Sequence, residues 1–414
     1  MTLTAPAPDS RARRIIDGLV FFRWWVSVAS AVESWPRSRR MALYLTCAVI
    51  AVIARLWAQT LPGNYDFHLW ELSSSAVLNG HDPYALYGYN YPPMWLAVIA
   101  AVKALTGSEV GFRLGISLIL CVVDIGISLL LAKRGYLLPA CLFLLSPITI
   151  AISGQHQQID AIAIVLAFGA LFIASPGSTN RIQPVDLVAV ALLGLSLSFK
   201  EVFLVLPLWI AMRTGSWQRR LLYLIVPYVI VAACLGAAML RYSSHEVIHY
   251  VLQHSGANNS PLVWTFVPSQ FAPWFLSHSG GKVLFLVLLV AAGWLFRRMP
   301  LFETGLLYTI TAVMLSWAVV NQYLAIPMAA VAVYLNAGLL VWLVLASIYL
   351  LGSAEVLNIW GFRFIQPNLL LEYNVVMRDL FPWLLIGWGL MVVALHRPGL
   401  HLRPRRVEPE SPQQ

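Results

Sequence analysis

"FRLGISLILCVVDIGISLLLA", residues 112–132, is one apolar run of 21 residues. At about 1.5 Å per residue, that is the length a helix needs to cross the roughly 30 Å hydrocarbon core of a bilayer. Similar runs recur on both sides of it, at 41–58, 136–152, 160–174, 186–198, 201–212, 220–240, 283–296, 302–319, 322–335, 337–352 and 380–396. With 112–132 they make about twelve predicted spans. Composition agrees: hydrophobic residues are 59% of the 414 and charged residues 11%, against about 25% charged in a water-soluble domain. The ten-residue alternation of a membrane β-barrel is absent. The expected fold class is an all-α polytopic membrane protein.

Charge placement predicts the orientation. With the N-terminus inside, the connections assigned to the cytoplasm collect 19 of the 27 lysines and arginines, including Arg37, Arg39, Arg40, Lys133, Arg134, Arg219, Arg220, Arg297 and Arg298. The positive-inside rule then puts both termini in the cytoplasm of a multi-pass plasma-membrane protein. This skew accounts for the net charge of +9, so no nucleic-acid partner is expected. Residues 1–40 are expected to form a cytoplasmic segment with an interfacial helix over 15–30. Residues 41–396 form the membrane domain, and 397–414 a solvated tail. The four cysteines, Cys47, Cys121, Cys141 and Cys234, all fall inside apolar runs and read as small core residues.

The same orientation places 59–111, "SGQHQQID" (153–160), "FKE" (199–201), the loop 241–282, "NQY" (321–323) and the loop 353–379 on the outer face. Nearly every uncompensated polar cluster therefore falls on one side. The first outer loop, 59–111, is predicted to carry interfacial helices. One starts near Phe67. Another starts at Pro83 with Asp82 as N-cap. A third apolar piece, 93–107, is too short to cross and contains Lys103. Tyr84, Tyr87, Tyr89, Tyr91 and Trp95 are expected to form an aromatic surface at headgroup depth.

"NYDFHLW" (64–70), "NGHDPYALYGYNYPP" (79–93) and "GQHQQID" (154–160) resemble the GT-C glycosyltransferases that use polyprenyl-phosphate sugars. They are most similar to the bacterial α-mannosyltransferases of glycosyltransferase family 87. The resemblance implies a GT-C-like helical bundle and an inverting transfer outside the membrane. It also implies a catalytic aspartate in the first outer loop, and Asp66 is the matching position. Implied partners are a polyprenyl-phosphate sugar donor, a glycolipid or glycan acceptor and membrane lipids. The adjacent acidic pair of many protein O-mannosyltransferases is missing, so no cofactor and no divalent metal are expected.

The chemistry needs few groups. One carboxylate takes the acceptor proton as the C1–O bond to phosphate breaks. The leaving lipid phosphate needs positive charge or amide donors rather than a second acid. Asp66 is the expected base; the alternative is an N-cap before "FHLWEL". His68, His81, Asp82, Tyr84, Tyr89 and Tyr91 are candidates for the substrate site, with His68 and Glu71 otherwise an ordinary surface pair. Gln155, His156 and Asp160 follow Gly154, with His156 and Asp160 one helical turn apart. Lys200 stands in an apolar stretch, where an ionisable group is functional by default; the alternatives are pairing with Glu201 or snorkelling to the interface. Asn321 and Gln322 are candidate sugar-hydroxyl partners, and Arg241, Lys282, Arg363 and Arg378 candidate lipid-phosphate contacts. His245, His249 and His254 have no framing carboxylate, so zinc is not expected there. Two rival functions remain: a transporter or flippase of lipid-linked sugars, and a ligase or polymerase using a lipid diphosphate.

Overall fold

A computed structural model describes residues 22–61, 65–174, 181–254, 278–316, 319–353 and 373–395, with a few positions between 266 and 274. The described residues are helical, without strands. The chain runs α1 (Phe22–Glu33), α2 (Arg37–Ala58), α3 (Tyr65–Leu78), α4 (Pro83–Tyr87), α5 (Pro93–Thr106), α6 (Glu109–Lys133), α7 (Leu137–Leu145) and α8 (Pro147–Ile150). It continues through α9 (Asp160–Ile173), α10 (Pro184–Phe199), α11 (Leu206–Ala211), α12 (Trp217–Arg241) and α13 (Ser244–Val247). The last five helices are α14 (His278–Leu295), α15 (Leu301–Leu315), α16 (Met328–Val333), α17 (Ala337–Ser353) and α18 (Tyr373–Leu395). Each predicted span coincides with helix. By length and composition, however, three described helices can cross a membrane: α2, α6 and α12. A fourth crossing is possible if α7 and α8, bent by 49°, count as one span; the rest are shorter apolar helices. The protein is thus a multi-pass membrane protein by its helices, without the twelve crossings being fixed. The N-terminal residues to 21, the tail 397–414 and Arg363 lie outside the described residues, as does most of 255–277.

Two hydrophobic cores organise the chain. The larger joins α7, α9, α10, α15 and α16, with Trp209, Tyr308 and Trp342 buried in it. The smaller belongs to segment 65–106 and its supports. It packs Phe67, Trp70, Tyr84, Tyr89, Tyr91 and Trp95 against Phe112, Ile116 and Ile159. This corrects one expectation. Tyr84, Tyr89, Tyr91 and Trp95 are 0–4% exposed, so they are a packed core rather than a headgroup surface; Tyr87 alone of the five is exposed. Trp70 meets Tyr91 and Trp95 edge-on, with centroids at 5.4 and 5.1 Å. Such geometry adds roughly 0.5–1.5 kcal/mol per pair beyond burial.

The break between α7 and α8 has a local cause. Pro147 has no N–H to give the Phe143 carbonyl, and Ile148 N–H bonds the Ser146 hydroxyl instead of continuing the helix. Carbonyls freed in a low-dielectric interior must find other donors. The Thr149 hydroxyl donates to Phe143 O at 2.7 Å, and the Arg55 guanidinium donates to Leu144 O at 2.9 Å. Arg55 also donates to Thr149 Oγ1 and, at 2.8 Å, to Asp124 Oδ2. Beyond the break the chain widens into a π-helical turn, Ala151–Gln155. A Cβ on Gly154 would come 2.9 Å from Ala58 Cβ and 3.0 Å from Arg55 O. Glycine is therefore what lets this turn lie directly on α2.

Candidate active site

The turn delivers "HQQID" to the centre of the polar cluster. Gln157 follows with φ of 57°, the left-handed region in which a non-glycine residue is uncommon. The reversal sends two neighbouring glutamines to different partners. Gln157 donates to Arg113 O at 2.9 Å and to the Ser117 hydroxyl on α6. Gln158, fully buried, donates from Nε2 to Asp66 Oδ2 at 2.7 Å. Tyr91 O–H donates to Gln158 Oε1 at 3.4 Å. Burial, with the Asp66 and Asp160 carboxylates nearby, pushes the Tyr91 phenol well above its usual range, so it remains a donor. Asp66 itself sits inside the first turn of α3, which begins at Tyr65, rather than at an N-cap.

Asp160 opens α9 at 1% exposure, and neither of its carboxylate oxygens has a hydrogen-bond partner among the described residues. Lys200 is 6% exposed. Its ammonium lies 4.8 Å from the centroid of Tyr91 and 6.0 Å from that of Tyr323. Among the described residues no carboxylate forms an ion pair with it within 4.0 Å. So Lys200 is neither paired with Glu201 nor snorkelled to an exposed surface. Asp160, Glu201, Tyr323 and Asp66 all act on it electrostatically. Burial pulls His156 down to about 4, with Asp66 partly opposing the shift; it is neutral at pH 7.

A groove of about 390 Å³ adjoins this cluster. Its walls are mainly apolar and come from α10, α12, α14 and α15, including Leu197, Val231, Leu235, Phe285, Leu286 and Val313. Its polar lining includes Asn90, Ser198, Glu201, Tyr228, His254, Lys282, Ser316 and Tyr323. Asp66 does not line it. The link is Tyr323, which faces the groove and also stands beside Lys200.

The remaining candidates sort by geometry. Asp82 spends both oxygens on backbone: Oδ1 accepts from Tyr84 N and Ala85 N, and Oδ2 accepts from Ser243 N at 2.8 Å. It caps α4, as expected, and also ties segment 241–254 across the first loop. Its carboxylate is thereby held apart from the cluster around Asp66 and Asp160. Tyr84 and Tyr89 are core beneath that tie. His68 and His81 are exposed, and Glu71 pairs with Lys103 at 3.0 Å rather than with His68. Gln155 is buried in the π-helical turn. Asn321 Oδ1 accepts from the Tyr349 hydroxyl at 2.7 Å, and Gln322 is its half-buried neighbour. Lys282 reaches the groove, while Arg241 is exposed at the end of α12. His245 and His249 stack with centroids at 6.2 Å, and His254 contacts Asn90 at 3.2 Å. Among the described residues no group of three His, Cys, Asp or Glu side chains is arranged to hold a metal.

No family model matches the chain, and no curated protein matches it. Among solved structures, it is similar to ArnT from Cupriavidus metallidurans bound to undecaprenyl phosphate. That likeness has a TM-score of 0.46 and 15% identity, and covers 86% of this chain and 78% of the other. Membership of the α-mannosyltransferase family is thus not established by comparison.

Proposed function

We propose that the protein is an integral-membrane inverting glycosyltransferase. It moves a hexose, mannose by the motif resemblance, from a polyprenyl monophosphate to a hydroxyl of a lipid-linked glycan on the outer face of the membrane. One observation supports this above the others: a hydrogen-bonded carboxylate (Asp66) and a buried ammonium (Lys200) flank Tyr91 beside a mainly apolar groove. The groove suits a prenyl chain, and Lys200 and Lys282 supply positive charge for its phosphate. Asp160, buried and unpartnered, is an acceptor for sugar hydroxyls, with Asn321 and Gln322 as further candidates. In the transfer the acceptor oxygen attacks C1 from the face opposite the phosphate. The C1–O bond to phosphate breaks, its electron pair leaves with the lipid phosphate, and the acceptor proton passes to Asp66.

The test is transfer of label from polyprenyl-phosphate mannose to candidate glycolipids by the purified protein. Asp66→Asn keeps size and a hydrogen-bond acceptor for Gln158 but cannot take the proton. Turnover is expected to fall by about 10²-fold or more with unchanged thermal stability. An Asn variant as active as the parent removes Asp66 from the mechanism. Movement of the lipid across vesicles without any labelled product favours a flippase instead.

A further inference from the structure

Gln158 sits between two groups already described, Asp66 and Tyr91, which also bond each other. It is fully buried, its amide N–H₂ faces Asp66 Oδ2 at 2.7 Å, and its carbonyl takes the Tyr91 hydroxyl. A carboxylate only accepts hydrogen bonds, so the amide nitrogen must face it; the orientation of Gln158 is chemically fixed. The backbone is held for the same purpose. Gln158 N–H bonds Ile152 O at 3.0 Å across the turn. Gln157 adopts its left-handed φ of 57° while its side chain anchors to α6 through Arg113 O and Ser117. Backbone strain of this kind persists where the surroundings over-determine it, and such sites are commonly functional.

Given the transfer chemistry proposed above, we infer that Gln158 is the positioning residue of the general base: it fixes the Asp66 carboxylate through Oδ2 and leaves Oδ1 to receive the acceptor proton. Neutral glutamine suits the role for a specific reason. It donates to the carboxylate without competing for the proton. A glutamate in its place would set two carboxylates side by side, and one of them would hold a proton to higher pH.

The test uses the parent, Gln158→Glu and Gln158→Ala, each with and without Asp66→Asn. In transfer assays Gln158→Ala is expected to lower kcat about 10- to 100-fold with little change in donor KM, the cost of a loosened base. Gln158→Glu is expected to move the acid limb of kcat/KM to higher pH. A second readout needs no substrate. Infrared titration of each Gln158 protein, minus the spectrum of the same protein carrying Asp66→Asn as well, follows the Asp66 carboxylate, and its midpoint should rise in Gln158→Glu. If the parent transfers no sugar, the proposed function fails, yet the infrared titration still decides the contact. Parent-like kinetics in both Gln158 variants, or an unmoved midpoint in Gln158→Glu, overturns the positioning role. So does a rate loss in Gln158→Ala that only tracks the loss of folded protein.

Discussion

Two buried charge clusters lie close to the same broken helix, and they are finished in opposite ways. Arg55 and Asp124 are each 1% exposed and form an ion pair at 2.8 Å. Arg55 spends its remaining donors on Ala51 O, Leu144 O and Thr149 Oγ1, and Ser153 bonds Asp124. Asp160 and Lys200 are buried too and attract each other through space, but no ion pair closes between them: neither Asp160 oxygen is hydrogen-bonded among the described residues, and the Tyr91 and Tyr323 rings lie against the Lys200 ammonium. Burying an ion costs several kcal/mol unless partners compensate. The first cluster is compensated within the chain and closes the helix break. The second is left open beside the groove, as expected of groups that meet a substrate. Buried charge alone therefore does not single out a candidate site; buried charge left without hydrogen-bonded partners does.

Removing one partner of the closed cluster should break it hardest. Arg55→Ala strands Asp124 and the Leu144 carbonyl, and a loss of roughly 3–5 kcal/mol is expected from an uncompensated buried charge. Thermal unfolding in detergent should show it. The double variant Arg55→Met, Asp124→Leu should recover much of that loss. If Arg55→Ala is as stable as the parent, the cluster is not what closes the break.

The open cluster should respond in kinetics instead. Lys200→Ala is expected to raise the donor KM about ten- to hundredfold, as befits a charge-assisted contact of roughly 1.5–3 kcal/mol. Its effect on thermal stability should be smaller than that of Arg55→Ala. Unchanged donor kinetics in a folded variant would reduce Lys200 to a packing residue.

The contrast also shows what could be read from the sequence. The apolar segments were legible because a bilayer demands them, and each predicted span overlaps helix, though 136–152, 201–212 and 322–335 are broken and three described helices are long enough to cross. The polar cluster was legible in outline: the expected orientation grouped 59–111, 153–160, 199–201 and 321–323, and Asp66, Gln158, Lys200 and Tyr323 from those segments lie together. Gln158 was not singled out, although it lies inside the quoted motif; an uncharged amide carries no signal until its partner is known. The reasoning that flags Lys200 as an ionisable group in an apolar stretch flags Arg55 and Asp124 equally, and what separates them is three-dimensional. The tyrosines misled for a physical reason. Spacing cannot distinguish a ring at an interface from one packed on Trp70.

A weaker effect is expected at the tie between the first loop and segment 241–254. Asp82→Ala removes the cap of α4 and the acceptor for Ser243 N–H, at a cost of about 1–2 kcal/mol. The packing beneath survives, since Tyr250 still rests on Gly88, where a Cβ would come 2.9 Å from its ring. Asp82→Asn should keep the cap. Limited proteolysis near 243–254 should speed up in the Ala variant while kcat per folded molecule holds. A catalytic loss in Asp82→Asn with normal stability would instead place Asp82 in the substrate site.

The smallest effect concerns His156, beside the open cluster but held neutral. Its folded value of about 4 lies below the ordinary 6.5 because burial disfavours the imidazolium. The unfolded chain therefore takes up this proton near pH 6.5, and the native state does so only near pH 4. Its contribution to stability is fully present above about pH 6.5 and is lost as pH falls toward 4. Between pH 7 and 8.5 neither stability nor turnover should carry an inflection from this residue. His156→Gln should leave the profile above pH 7 unchanged and flatten the acid-side loss of stability. If the turnover profile of the parent instead shows a step near pH 6.5 that vanishes in His156→Gln, the imidazole titrates freely. His156 would then belong with the exposed groups rather than with the buried cluster around Asp66.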